Sequence, residues 1–247
     1  EVQEMLRSAG LKKGDKVVLL SSNMPNWGIC YFAITTGGYT VVPVLPDMTS
    51  ADLDRIVEHS EAKAMCVSDK LFTKISKEVS AKMNIVIRTK NLSVLSQNVT
   101  AEGELTIPQP EDLAAIIYTS GTTSQPKGVM LSLNNLTGNM LFGRGFINPE
   151  TGMPFLFKRG RVLSFLPLAH AYGAAFDFLA QLVVGGHITL LGRMPSPTIL
   201  VEAMKTVKPT MICCVPLVLE KVYRKMIMPM LEKGPMSIAM KIPFVNT

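Results

Sequence analysis

The stretch Ile116-Ile-Tyr-Thr-Ser-Gly-Thr-Thr-Ser-Gln-Pro-Lys-Gly-Val-Met-Leu131 constrains this chain most, because an apolar run passes into a hydroxyl- and glycine-rich turn and then back into an apolar segment. Hydroxyls stand at Thr119, Ser120, Thr122, Thr123 and Ser124, and one ammonium at Lys127. Gly121 and Gly128 admit conformations and close approaches that a Cβ would hinder, so backbone amides can converge on anionic oxygens. Pro126 stiffens the approach to Lys127. The turn reads as a phosphate loop, but not as the Walker type: Lys127 precedes its glycine and no hydroxyl follows it.

The rest of the chain supplies an α/β setting. Apolar runs at Val17–Leu20, Thr40–Val44, Lys63–Val67, Ile85–Ile87, Leu113–Tyr118, Val162–Phe165, His187–Leu191 and Thr210–Val215 read as strands. Between them lie helical patterns: Val2, Met5, Leu6 and Ala9 ending at Gly10; a helix with Asn23 as N-cap and Pro25 in its first turn, ending at Gly37-Gly38; and one capped by Thr49 or Ser50 with Leu53, Ile56 and Val57 inward. Further helices are expected around Leu71 to Val79, from about Leu131 to Phe142, through Phe178, from Ser196-Pro197, and from Leu217 to Met226. Continuous apolar strands alternating with helices imply parallel sheet covered on both faces. Residues 89–112 lose the rhythm and gather Asn, Ser, Gln, Pro and Glu. They read as a connector between a first α/β subdomain, 1–88, and a second, 113–247, that carries the loop. Ligands of such sheets bind at the C-terminal ends of strands, where Thr119 to Gly128 lies.

Composition narrows the partner. The net charge is +6, yet the basic residues are spread along the helices, and only Lys158-Arg-Gly-Arg161 is dense. With 6% aromatic residues and no interleaving of aromatic with basic side chains, nucleic acid is excluded and an anionic nucleotide is favoured. Cys30, Cys66, Cys213 and Cys214 lack metal-binding spacing and sit in apolar runs, which suits reduced thiols in a cytoplasmic protein. His59, His170 and His187 are far apart in sequence, so no metal cluster is visible.

Eleven residues, Tyr118 to Gly128, closely resemble the phosphate-binding signature of the adenylate-forming superfamily of acyl- and aryl-CoA synthetases, luciferases and peptide-synthetase adenylation domains. The single departure is Ser124 in place of the family's third glycine. Leu166-Pro-Leu-Ala-His170 is similar to a segment of fatty acyl-CoA synthetases, and Pro209-Thr210 with Val215-Pro216 to one that helps line an acyl tunnel. The resemblance implies a long-chain fatty acid CoA ligase, with this chain an N-terminal fragment forming part of the large domain. In the implied reaction a carboxylate attacks the α-phosphate of ATP to give acyl-adenylate and pyrophosphate, and the thiol of coenzyme A then displaces AMP.

Carried over by the same resemblance, Thr119, Ser120, Gly121, Thr122, Thr123, Lys127 and Gly128 hold the nucleotide, and Thr119 also approaches Mg²⁺. Lys127 and His170 take catalytic roles, His170 facing the carboxylate. The family's metal-binding glutamate, ribose-binding aspartate and C-terminal catalytic lysine have no counterpart in residues 1–247, so this chain alone is expected to be inactive. The glycine- and proline-bearing stretch 143–160 joins an apolar triplet to basic residues, a combination suited to a membrane surface where fatty acids partition. Two other readings stay open: an aryl or amino acid adenylating enzyme, and a non-catalytic nucleotide- or acyl-binding module.

Overall fold

The computed structural model describes residues 1–119, 126–145, 160–193 and 195–231. Seven strands form the main sheet: β1 (Lys16–Leu20), β2 (Thr40–Pro43), β3 (Ala64–Val67), β4 (Ile85–Arg88), β5 (Ser93–Gln97), β6 (Leu113–Thr119) and β7 (Lys127–Ser132), in the order β5-β4-β3-β1-β2-β6-β7. The inner five are parallel, as expected, while β5 and β7 run antiparallel along the two edges. A second, two-stranded parallel sheet pairs β8 (Arg161–Ser164) with β9 (His187–Leu190).

Side chains alternate between the two faces of the main sheet, and both are covered. Val17, Leu19, Val41, Cys66, Ile85, Ile87 and Ala115 meet α1 (Val2–Ser8) and α2 (Pro25–Thr36), where Trp27, Cys30, Tyr31 and Ile34 are buried. Val18, Leu20, Val42, Met65, Val67, Val86, Ile116 and Tyr118 meet Leu53, Ile56 and Val57 of α3 (Ser50–His59) and Val79 of α5 (Lys77–Ala81). Between these two helices lies the short α4 (Asp69–Phe72). Thr49 caps α3 as expected: its hydroxyl accepts from the Asp52 N–H at 3.2 Å and donates to the Asp52 carboxylate at 2.7 Å.

The chain departs from the sequence reading in four places. Within the supposed connector, Ser93–Gln97 pairs with β4 although it is polar, because an edge strand half exposed to water needs no apolar run. The segment after the phosphate loop is strand before it is helix: β7 pairs with β6 through Ser132, and α6 (Leu133–Gly145) starts only then. That hairpin belongs to the same sheet as β1–β4, since β6 lies beside β2 with Val41 opposite Ala115. The boundary between sheets therefore falls after β7 and not at residue 113. Lastly, Thr210–Val215 forms no strand. Only Met211 bridges to Val162, and the run is apolar because Met211, Ile212, Cys213 and Cys214 pack into the core beneath β8.

Gly128 shows how tightly the hairpin closes. A Cβ there would stand 2.6 Å from the Ile116 Cγ2 and 3.3 Å from the Tyr118 ring, so the strand can lie over these side chains only without one. Gly128→Ala should cost about 1–3 kcal/mol through this overpacking, read as a lower urea midpoint with an unchanged slope.

Candidate functional site

Parallel pairing of β1, β2 and β6 brings their C-terminal ends to one rim, and the site is built there. Thr119 ends β6 and Lys127 begins β7, opposite one another in the hairpin register, with Tyr118 opposite Gly128 beneath them. Thr119 and Lys127 are both exposed. The hairpin thus assembles Thr119, Lys127 and Gly128 from the two ends of the loop, while Ser120, Gly121, Thr122 and Thr123 lie outside the described residues.

The surrounding charge makes Lys127 stand out. On the opposite rim, Lys13 pairs with Asp112, Lys16 with Glu61 and Lys63 with Asp15. Lys127 makes no ion pair among the described residues, so its ammonium is open to an anion.

His170 sits on a second turn. β8 ends at Ser164 and leads through Pro167 to His170, whose carbonyl accepts from the Ala174 N–H at 2.9 Å. The His170 Nδ1 accepts from the backbone N–H of Tyr172 at 3.2 Å, which leaves the proton of the neutral ring on Nε2. The ring is exposed and its hydrogen bonds are local, so its orientation is set from its own turn. Gly173 closes that turn: a Cβ would fall 2.4 Å from the Pro167 carbonyl oxygen. The chain continues through a π-helical segment, Gly173–Leu179, into α7 (Ala180–Val183). Such segments are rare and recur at functional sites.

Asn23 is the residue the sequence reading misplaced. Met24, not Asn23, is the N-cap of α2. The Asn23 amide instead reaches across to the His170 turn, donating to the Leu166 carbonyl at 2.7 Å and accepting from the Leu168 N–H at 3.0 Å. An amide presents a donor and an acceptor side by side, as a neighbouring strand would. Only the tertiary arrangement reveals this use, because the two partners lie more than 140 residues away.

Asp177 was not anticipated. It is wholly buried on the π-helical segment, and neither of its oxygens has a hydrogen-bond partner. Burial raises its pKa to about 6; the Cys213 thiol, the Ser164 hydroxyl and the Leu166 N–H face it and partly offset this without reaching bonding geometry. Burial likewise pushes the Cys213 thiol up, so that sulfur stays protonated.

A parallel sheet with a hydroxyl- and lysine-bearing turn at its C-terminal rim suits a nucleotide. The chain belongs to the AMP-binding enzyme family, whose model matches residues 2–240. It is 29% identical over 245 residues to long chain acyl-CoA synthetase 5 of Arabidopsis thaliana, covering 88% of this chain and 35% of that protein. To the long-chain-fatty-acid–CoA ligase FadD15 of Mycobacterium tuberculosis it is 28% identical over 236 residues, covering 88% and 37%. The chain therefore spans about a third of the length of these curated relatives.

Among solved structures it is similar to the inhibitor-bound N-terminal domain of FACL13 from Mycobacterium tuberculosis, with TM-score 0.75, 18% identity and coverage of 95% of this chain and 58% of that one. It is also similar to ATP-bound MatB from Rhodopseudomonas palustris, with TM-score 0.73, 22% identity and coverage of 91% and 44%. The α/β fold expected for the N-terminal domain of adenylate-forming enzymes is thus the fold observed. Among the described residues no helix is long and apolar enough to cross a membrane.

Asp177 gives this part of the fold a pH dependence. Its folded pKa is raised from the ordinary value near 3.9, so the stability linked to its neutral form is complete below pH 4 and is lost as pH climbs through 6. The loss by pH 8 should be on the order of 3 kcal/mol, about two units at 1.36 kcal/mol each. Asp177→Asn, neutral at every pH, should flatten that slope. Urea midpoints at pH 4 and pH 8 for both proteins check it, and a slope retained in the variant would point to another group.

Proposed function

We propose that this chain is part of a long-chain fatty acid CoA ligase and supplies the triphosphate and carboxylate sides of its adenylating site. The observation that carries the reading is the hairpin mouth, with Thr119 opposed to Lys127, which makes no ion pair among the described residues, at the C-terminal rim of a parallel sheet. A carboxylate is a poor acylating agent, so the reaction must attach AMP to it while charge builds on the departing pyrophosphate. The Lys127 ammonium and the hydroxyls and amides of residues 119–128 meet that charge; the exposed His170 ring donates from Nε2 toward the carboxylate.

Mg²⁺ fits this donor set only sparingly. The ion keeps several waters and takes its other ligands from substrate phosphates, so the Thr119 hydroxyl suffices here as one contact. Bound there, it would neutralise phosphate charge. Coenzyme A completes the reaction as second substrate, its thiol displacing AMP in the full-length protein. A cytoplasmic location, with stretch 143–160 against a membrane surface, belongs to the same reading; residues 146–159 lie outside the described residues.

A second reading, an aryl acid CoA ligase, is favoured by one relative, 4-coumarate–CoA ligase-like 9 of Oryza sativa subsp. japonica, at 29% identity over 206 residues. Comparing palmitate with 4-coumarate as substrates of the full-length protein separates the two acids.

Lys127→Ala should weaken ATP at least tenfold more than AMP, because a charge-assisted bond contributes about 1.5–3 kcal/mol and AMP lacks the terminal phosphates. Calorimetry on the full-length protein measures both, and equal losses would remove Lys127 from the pyrophosphate site. His170→Ala should slow pyrophosphate release, as expected where a hydrogen-bond donor that orients the carboxylate is lost, a misplacement worth roughly 10²-fold, and spare CoA transfer from supplied acyl-adenylate. The reverse pattern would move His170 to the thioester half.

A further inference from the structure

Tyr118 is the last inward-facing residue of β6, one position before Thr119. Its ring is buried in the apolar layer beneath α3 and lies against the Cβ-free face of Gly128. A phenylalanine would fill the same space, so packing alone does not account for the hydroxyl. That hydroxyl meets the Nδ1 of His59 at 2.8 Å, and the rings stand edge to face with centroids 5.7 Å apart. His59 is the last residue of α3, a helix fixed to the sheet through Leu53, Ile56 and Val57. Burial raises the Tyr118 pKa, which keeps the phenol protonated for this bond.

The position matters because β7 is an edge strand and the ladder ends at the Thr119–Lys127 pair. The final rungs of such a ladder open at low cost unless something outside the pair holds them.

We propose that His59 is a positioning residue: through the Tyr118 hydroxyl it holds the mouth of the hairpin so that Thr119 and Lys127 stay in register for the triphosphate. The role in ATP binding rests on the reading of that mouth given above; the mechanical role does not. His59 touches neither nucleotide nor acid. It acts through one hydrogen bond across 59 residues of chain.

The test uses the full-length protein with Tyr118→Phe, His59→Ala, the double variant, and His59→Gln, which keeps a hydrogen-bonding group. Two quantities are read: hydrogen exchange of segments 113–119 and 127–132, and the split between KM for ATP and kcat in fatty-acid-dependent ATP–pyrophosphate exchange. Each single variant should speed amide exchange in both segments by roughly threefold to tenfold, the factor carried by one net hydrogen bond. KM for ATP should rise by a similar factor while kcat stays within twofold. The double variant should be no worse than either single one, and His59→Gln should recover part of the loss.

Unchanged exchange in Tyr118→Phe overturns the proposal, and this conservative variant decides the matter even where His59→Ala fails to fold. Faster exchange with unchanged KM for ATP overturns the positioning role. Should the unmodified protein catalyse no ATP–pyrophosphate exchange with any acid, the ATP reading falls, and amide exchange alone then decides whether His59 holds the hairpin.

Discussion

The two hydrogen bonds of the Asn23 amide, to the Leu166 carbonyl and the Leu168 N–H, tie the rim of the seven-stranded sheet to the turn that carries His170. Asn23 lies three residues beyond β1, so its position is set by the central strand of the sheet, where Val17 to Leu20 are wholly buried. The His170 turn thereby takes its place from the sheet that also places Thr119 and Lys127. Removing the amide would leave a carbonyl and an N–H without partners, a cost on the order of 1–3 kcal/mol each where they are buried. Leu166 and Leu168 are both buried, so these backbone groups have little recourse to water.

Apolar packing reinforces the link. Phe178, on the π-helical segment, meets Trp27 at 5.6 Å, Phe32 at 5.5 Å and Tyr31 at 6.1 Å, all on α2. One ring from the second sheet's helix thus enters the aromatic face of the first sheet's helix. Edge-on contacts such as those with Trp27 and Tyr31 add about 0.5–1.5 kcal/mol beyond buried area. Asp177 precedes Phe178 and works in the opposite direction, since a carboxyl with no hydrogen-bond partner is costly to enclose. The same helix therefore carries the ring that docks the two sheets and the acid whose ionisation opposes burial.

How much of this was legible from residues alone differs between the two sheets. The strands of the main sheet announce themselves because burial on both faces demands unbroken apolar runs, as in Lys16–Leu20 and Ala64–Val67. Thr49 and Ser196 declare helix starts through local side-chain bonds that depend only on neighbouring residues. The edges gave no such signal. Val129 and Met130 of β7 are exposed, and the run from Leu131 reads as helix from its own residues because β pairing depends on a partner strand. Thr210–Val215 erred the other way, because a core segment without ladder bonds has the same composition as a buried strand. The loop motif and His170 were legible from residues alone as candidates for chemistry. Asn23, Asp177 and the His59–Tyr118 pair were not, since each owes its setting to residues brought near by folding.

The distribution of charge shows why the same rim suits an anion. At the N-terminal ends of β1, β3 and β6, three flanking lysines have a carboxylate within 4 Å: Asp112 for Lys13, Glu61 for Lys16 and Asp15 for Lys63. These exposed pairs add little stability, but they cancel the field at that end. The C-terminal rim of the β6–β7 hairpin has a lysine with no such carboxylate among the described residues, on a strand whose first four residues are exposed. A cation left uncompensated beside exposed backbone donates its field to whatever anion enters, and a triphosphate brings more charge than one ammonium can balance. The sequence between Thr119 and Lys127 is rich in hydroxyls and glycine. Thr119 and Lys127 are held opposite one another by the ladder of the hairpin, so the groups at its mouth carry little further ordering cost on binding.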